Sequence, residues 1–541
     1  MSADTAPATP SPLTVPQAGL VEDLRALLGE DRVFCDDDAR RFYTQDVFTN
    51  GPAALAVIRP ADTQQLSGAL KRITAAGMAA VPRGGGMSYT SGYIPPTGDS
   101  VVVDMSGMDR IVDIDETNMT VTVEAGCTWK ALHETLSPKG LRPPFWGTLS
   151  GIKATVGGGL SQNSVFWGCG QAGTAAESVL ALEVVLADGT VVKTGSWAHA
   201  SGNTETQPFF RQYGPDLTGL FTSDAGALAF KTRIVLRLVR VARAKAYASF
   251  SFEDWPALFR AMHDIGRDGL ASECFAFDPF LQGQRMKRES LAKDVKALAG
   301  VVKGQGTLLK GLKEGLKVAV AGRRYMDDVP YSLHVICEGR SEAAADADCA
   351  AVKAICTREG GAEIENSIPK ILAANPFGPV NSMVGPEGER WVPIHGLFSH
   401  GRADEAMERL KALETTHADL IERHDIGIGY LCLTVSTTIF LIEPVFFWPD
   451  ALNDLHRASL EPDALARINE FDANPDARAA VEQLRTAMLD IFQDCGAAHL
   501  QIGRTYRYGK TMSPTTRTLL EAIKTAVDPD GRVNPGALGL H

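Results

Sequence analysis

Two short stretches place bare backbone beside hydroxyl-bearing side chains. VPRGGGMSYTSG, from Val81 to Gly92, sets three glycines after an apolar run, and ATVGGGLSQNS, from Ala154 to Ser164, repeats the pattern. Glycine adopts positive φ at no steric cost and lets another group approach the main chain, so such loops suit a nest of N–H donors for an anion such as phosphate. A tight turn between strands needs the same residues, and the triplet alone leaves both readings open. Among titratable side chains, His395 in PIHG suits removal of a hydroxyl proton near neutral pH, with His400 and His499 as further candidates; a satisfied core histidine fits the same pattern. The nine cysteines are scattered without C-x-x-C, and no His/Cys/carboxylate group has metal-ligand spacing, so neither a disulfide framework nor a metal is expected.

Positioning such loops takes a large scaffold. The chain has 541 residues, 45% of them apolar, enough for two or three domains. Its 53 basic against 65 acidic residues argue against a nucleic-acid partner held through phosphates. The first sixteen residues lack a basic and an apolar segment, reading as a tail rather than a signal peptide, and a cytoplasmic location is expected. Residues 429–448 are apolar and nearly long enough to span a membrane, but their Thr, Val, Ile and Phe content, with Glu443-Pro444, reads as one or two buried strands.

Short strands and helices alternate through the first half: a helix over Leu20 to Leu28, a strand at Ala54 to Pro60, a helix from an Asp62 cap to Ala76, and three β-rich runs between Ser100 and Gly126. A helix closing at Gly140 follows, and Asp188-Gly189 marks a hairpin. No G-x-G-x-x-G opens a helix, which disfavours a nicotinamide-binding Rossmann unit. From about Ala242 the texture becomes more helical. Residues 285–324 hold eleven lysines and arginines against three acids, suiting a solvated helix face, a weak membrane-surface contact or a docking partner.

Taken in order, RGGGMSY, ATVGGGLSQNS, ESVLALEVVLADGTVVKTG, DLTGLFTSDAGALAF and DPDGRVNPG resemble flavoproteins of the vanillyl-alcohol oxidase / p-cresol methylhydroxylase family. The resemblance implies an α+β chain: an N-terminal tail and helix (1–45), a PCMH-type FAD-binding domain (46–241), an α/β substrate cap (242–497) and a C-terminal segment returning to the FAD domain (498–541). It implies that Pro82, Arg83, Gly84, Gly85, Gly86, Met87 and Ser88 hold the FAD pyrophosphate. Thr148, Thr155, Val156, Gly157, Gly158, Gly159, Ser161 and Asn163 would line the flavin side, with Gly226 and Asn534 completing the cofactor set.

Within the family, residues 177–189 and 216–230 look most like the glycolate and D-lactate dehydrogenases, but that branch's metal motifs, H-x-G-D-G-N-x-H and G-E-H-G, are replaced by LTVSTTIFLIEP and QIGRTYRYG. Tyr506-Arg507 and Tyr89 are similar to the tyrosine and arginine positions of the 4-hydroxybenzylic branch. With His395 they form the expected catalytic set, Arg507 presenting a planar donor fork to a carboxylate or phenolate. The branch's flavin-tethering histidines fall at Leu441 or Ile442 and at Met87, implying non-covalent FAD, and its catalytic aspartate falls near Thr174. The activity implied is oxidation of an alcohol or benzylic C–H of an apolar, phenolic or aromatic substrate. Alternatives are a metal-free D-2-hydroxy acid dehydrogenase, an alkyl transferase or a non-catalytic FAD-binding protein. Expected partners are a small-molecule substrate, an electron acceptor (oxygen, quinone, cytochrome or electron-transfer protein) and a second copy in a homodimer.

Overall fold

The computed structural model describes residues 14–199, 206–287 and 329–541. The basic stretch read at 285–324 therefore lies, from residue 288 on, outside the described residues.

The first sheet is built to deliver one loop. Ala56–Ile58 is buried on both faces, and the helix Thr63–Ala75 returns the chain over it, burying Leu66, Ala69, Leu70 and Ile73 at helical spacing. The Asp62 carboxylate caps that helix by accepting from the Gln65 N–H at 2.8 Å. The crossover places Ala79–Arg83 parallel to Ser100–Asp104, itself parallel to Ala56–Ile58, and Val33–Phe34 closes the far edge antiparallel. Arg83 ends its strand at the carboxyl edge, where the glycines begin. That edge is the usual ligand side of a parallel sheet.

The second sheet has five antiparallel strands in the order Ile111–Asp115, Thr120–Glu124, Phe230–Arg237, Val179–Val185 and Val191–Lys193. The Asp188-Gly189 turn joins the last two, with Gly189 at φ 87°. The second glycine stretch forms the helix Val156–Gln162, opened by Thr155, whose hydroxyl accepts from the Gly158 N–H at 3.1 Å. The first helix runs over Val15–Leu28, starting earlier than its apolar pattern indicated, because Pro16 sits in its opening turn with φ already suited to a helix.

The third sheet is the largest among the described residues. Its order is Ala362–Glu363, Ala244–Phe252, Tyr331–Gly339, Glu273–Phe277, Gly427–Val435, Ile439–Trp448 and Arg390–Pro393, with Gly396–Ser399 also on Ile439–Trp448. The apolar run at 429–448 is thus a hairpin of two sheet strands. Alternation sorts its side chains: Cys274, Ala276, Tyr430, Cys432, Phe440, Ile442 and Phe446 pack with residues of the helices Trp255–Arg267, His400–Thr416 and Pro475–Asp494. Phe275, Phe277, Leu431, Leu433, Leu441, Val445 and Phe447 pack instead in the cluster holding the core of the first two sheets. Among described residues no helix is long and apolar enough to cross a membrane.

The C-terminal segment closes back on the first sheet. Ala80 N–H donates to Arg532 O at 2.8 Å and Asn534 N–H to Ala80 O at 2.9 Å, so the tail pairs with the strand that feeds the first glycine loop.

Candidate active site and cofactor cleft

A cavity of about 280 Å³ is lined by both glycine loops and by residues of the third sheet. None of the backbone N–H groups of Gly84, Gly85, Gly86, Met87 or Ser88 donates to a described residue, although all five residues line the cavity. Five consecutive unpaired donors at a strand's carboxyl end form an anion nest. The Arg83 Nε, also buried, has no partner. These groups fit the pyrophosphate of FAD.

The glycines serve a second purpose. A Cβ on Gly85 would stand 1.9 Å from Lys153 O, and one on Gly84 2.5 Å from the Thr155 hydroxyl, so the first loop lies directly against the second. Gly157 and Gly159 are likewise dictated by Ala125 and Trp129, whose atoms lie 2.7 and 2.8 Å from their would-be Cβ positions. Gly226, at φ 67°, would press on Pro82. Pro82, Thr148, Thr155, Gly158 and Ser161 also line the cavity.

Three expected cofactor residues support the cleft rather than line it. Val156 is buried, its N–H donating to Cys127 O at 2.7 Å. Asn163 ends the second-loop helix in the left-handed region at φ 53°, its Oδ1 accepting from the Ala176 N–H. Asn534 spends its amide on Gly92 O and Ala225 O, and its Oδ1 accepts from Arg504 Nη2. The Asn534 side chain is thereby saturated by the protein, which leaves none of it for a ligand.

The expected catalytic set is split. Tyr89 lines the cavity, its hydroxyl accepting from Gln501 Nε2 at 3.0 Å and its ring edge-on to Trp391 at 5.6 Å. Burial, reinforced by Glu443 and Tyr506, raises the Tyr89 phenol well above its ordinary range. Arg507 does not line the cavity: its side chain is 34% exposed and ion-paired with Asp490. Tyr506 faces inward, but onto His395, accepting from its backbone N–H at 2.7 Å and meeting its Nδ1 at 3.2 Å. His395 Nε2 lies 2.8 Å from Leu500 O, so Nε2–H donates there and Nδ1 accepts from Tyr506. With 0% exposure, both ring nitrogens bonded and its pKa lowered by burial to about 3, His395 is a core histidine and not a base facing substrate. Thr174 caps a short 3-10 turn.

Besides Arg83, three charged residues line the cavity from elsewhere in the chain: Lys231, ion-paired with Asp224 at 2.6 Å, Glu443 and Arg285. Glu443 stands opposite Leu431 on the cavity face of the cap hairpin, and Arg285 extends from the helix Pro279–Met286, its guanidinium 4.3 Å from the centre of the Phe277 ring. Burial raises Glu443 to about 7, with Arg285 opposing the rise; burial lowers Arg285 to about 10, with Glu443 opposing the fall. The sequence carried a usable signal for Glu443: a lone acid at a core-facing position of an apolar strand. Among described residues no group of three or more His, Cys, Asp or Glu could hold a metal.

Comparison with known proteins agrees with this geometry. Residues 54–195 match the model of an FAD binding domain. The chain is 26% identical over 267 residues to an uncharacterized FAD-linked oxidoreductase, YgcU, of Escherichia coli K12, covering 48% of this chain and 53% of the relative. It is 31% identical over 211 residues to the glycolate oxidase subunit GlcD of Bacillus subtilis, covering 39% and 42%. The chain thus spans about half the length of the curated relatives it matches. The fold superposes on p-cresol methylhydroxylase with substrate bound at a TM-score of 0.73, with 18% identity and 98% of both chains covered. The chain carries an FAD-binding domain on an α+β, PCMH-type fold, the fold and cofactor implied by the resemblance of its glycine loops.

Proposed function

We propose that this protein is an FAD-dependent oxidoreductase, oxidising a carbon that bears a hydroxyl or lies beside an aromatic ring. The observation that carries the reading is continuity: one cavity joins the free N–H groups of Gly84 to Ser88 to the Tyr89, Glu443 and Arg285 end of the cap. We assign residues 46–241 and 498–541 to the cofactor half and 242–497 to the cap.

Bound FAD supplies the acceptor for a hydride and its two electrons. The first loop would hold its pyrophosphate, and Thr155, Gly158 and Ser161 would face the rest of the cofactor. Met87 and Leu441 offer no side chain for a flavin linkage, so the cofactor is held without a covalent bond. At the cap end Leu431, Leu433, Phe447 and Trp391 exclude water from the reacting carbon. The Tyr89 hydroxyl, oriented by Gln501, hydrogen-bonds an oxygen of the substrate. The apolar wall favours an aromatic alcohol or phenol. A second reading, a 2-hydroxy acid, is favoured by Arg285, a cation placed to meet a carboxylate.

Anaerobic mixing of the purified holoprotein with 4-hydroxybenzyl alcohol, benzyl alcohol, D-mandelate and D-lactate tests this. Loss of the oxidised-flavin absorbance with one of these supports an oxidoreductase and separates the two substrate readings. Flavin that stays oxidised with all four points to a binding protein or a transferase without net oxidation.

A further inference from the structure

We propose that Glu443 is the proton acceptor of the reaction and that Arg285 positions and tunes it. The assignment rests on the oxidoreductase reading above and adds to it the group that takes the hydroxyl proton.

Three observations carry it. First, Glu443 lies on the apolar cavity face of the cap sheet, opposite Leu431 and two positions from Leu441 and Val445, yet makes no hydrogen bond or ion pair with a described residue. An unpaired carboxylate on an apolar face is costly, and retaining one without a partner calls for a ligand. Second, Arg285 lines the same cavity from another element without forming an ion pair with Glu443, so both groups point into shared space. Third, Gln284, next to Arg285, also lines the cavity, and its buried Oε1 has no partner. Three polar groups from two elements thus line the cavity together with its apolar walls. His395, the histidine suited by type to this task, is closed off behind Tyr506 and Leu500.

The charged and titratable groups within electrostatic reach of Glu443 are Arg285 on its helix, Tyr89 after the first loop, Tyr506 on the C-terminal segment, turned toward His395, and Cys432, on the opposite face of the sheet. Only Arg285 is a cation, and it favours the carboxylate. Burial sets Glu443 near 7, where a general base is both available and basic enough to act. As a substrate alcohol is oxidised, its O–H proton passes to a Glu443 oxygen. The O–H electron pair becomes the second bond of the carbonyl, and the C–H hydrogen leaves with its bonding pair as a hydride, for which bound FAD would be the acceptor.

The test uses the FAD-loaded full chain. In the absence of substrate, the oxidised-flavin absorbance is recorded from pH 5 to 9 for the parent, Glu443→Gln and Arg285→Met. Expected are an inflection near 7 in the parent, no inflection in Glu443→Gln, and an inflection at higher pH in Arg285→Met, because losing the cation disfavours the carboxylate. With a compound that bleaches the flavin, the reduction rate rises through the same inflection. It falls by about 100-fold or more in Glu443→Gln, the scale of removing a general base, while flavin content is kept. An inflection that survives Glu443→Gln, an Arg285→Met profile superposing on the parent, or parental reduction rates in Glu443→Gln would overturn the assignment. If no tested compound bleaches the parent flavin, the functional reading fails instead, so the two failures are told apart.

Discussion

The side-chain amide of Gln501 donates to the hydroxyl of Tyr89 at 3.0 Å, linking the C-terminal segment to the first glycine loop across the mouth of the cap. Both residues line the cavity, so the bond fixes a phenol against the space a substrate would fill. Gln501→Leu removes one neutral hydrogen bond of ~1 kcal/mol and frees the ring to turn. The expected result is unchanged flavin content and flavin reduction slowed by about fivefold to tenfold, read by rapid-mixing absorbance. A parental rate would remove Tyr89 from the substrate contacts.

Gly85→Ala asks whether the glycine triplet is more than a turn. Its new methyl would lie 1.9 Å from Lys153 O, so the two loops must part. We expect FAD occupancy to fall and thermal stability to drop by more than the ~1 kcal/mol of an ordinary strained glycine position. Gly140→Ala, at φ 66° with nothing within 4 Å of its Cβ position, is the control: it carries the backbone strain and should leave FAD bound. Equal flavin loss in both variants would return the triplet to the turn reading.

Arg507→Met should leave the flavin reduction rate within twofold of the parent. Its guanidinium sits at the surface with Asp490, and exposed ion pairs contribute ~0–1 kcal/mol to stability. A 100-fold slower reduction would reinstate Arg507 as a substrate anchor.

His395 supplies a pH prediction with a definite sign. Its folded-state pKa, about 3, lies below the ordinary histidine value of 6.5, so the unfolded chain binds a proton that the folded one refuses. The residue's contribution is therefore constant above pH 6.5, and stability is lost as the pH falls from 6.5 toward 3. Denaturant unfolding of His395→Gln at several pH values should show a shallower loss over that window than the parent. An unchanged slope would mean that His395 is not the neutral, saturated ring described. In either protein the pH dependence of flavin reduction should be the same.

Much of the scaffold could be read locally, because caps and turns act within a few residues. Asp62 and Gly189 sit where their cap and turn chemistry required, and the Thr, Val, Ile and Phe content of 429–448 indicated one or two buried strands, of which the fold has two. The first loop was legible for the same reason: free N–H groups follow from glycines leaving a strand. The charged lining opposite it was not. Glu443 and Arg285 come to one cavity only through the packing of a helix against the hairpin of the third sheet, a relation that no spacing in the chain encodes. Tyr506 and Arg507 are neighbours in sequence, yet a turn aims one at His395 and the other at Asp490. Asn163 and Asn534 were expected as ligand contacts from the resemblance of their motifs, whereas the left-handed backbone at φ 53° and 42° favours asparagine for its own conformation.

Acid precipitation separates tethered from free flavin. With Met87 in the first loop and Leu441 on the cap strand, the supernatant should be yellow and contain intact FAD. Flavin retained in the pellet would identify a covalent link at another side chain.

The central claim is that the cavity joining Gly84–Ser88 to Glu443 holds a C–H donor against bound flavin, and an isotope effect on the half-reaction tests it most directly. An alcohol that bleaches the flavin anaerobically is compared with the same alcohol deuterated at the carbinol carbon. The account predicts that deuteration slows flavin reduction several-fold in the parent while leaving FAD content and substrate affinity unchanged. Reduction at the same rate with both compounds, over a range of substrate concentrations that includes saturation, would contradict it.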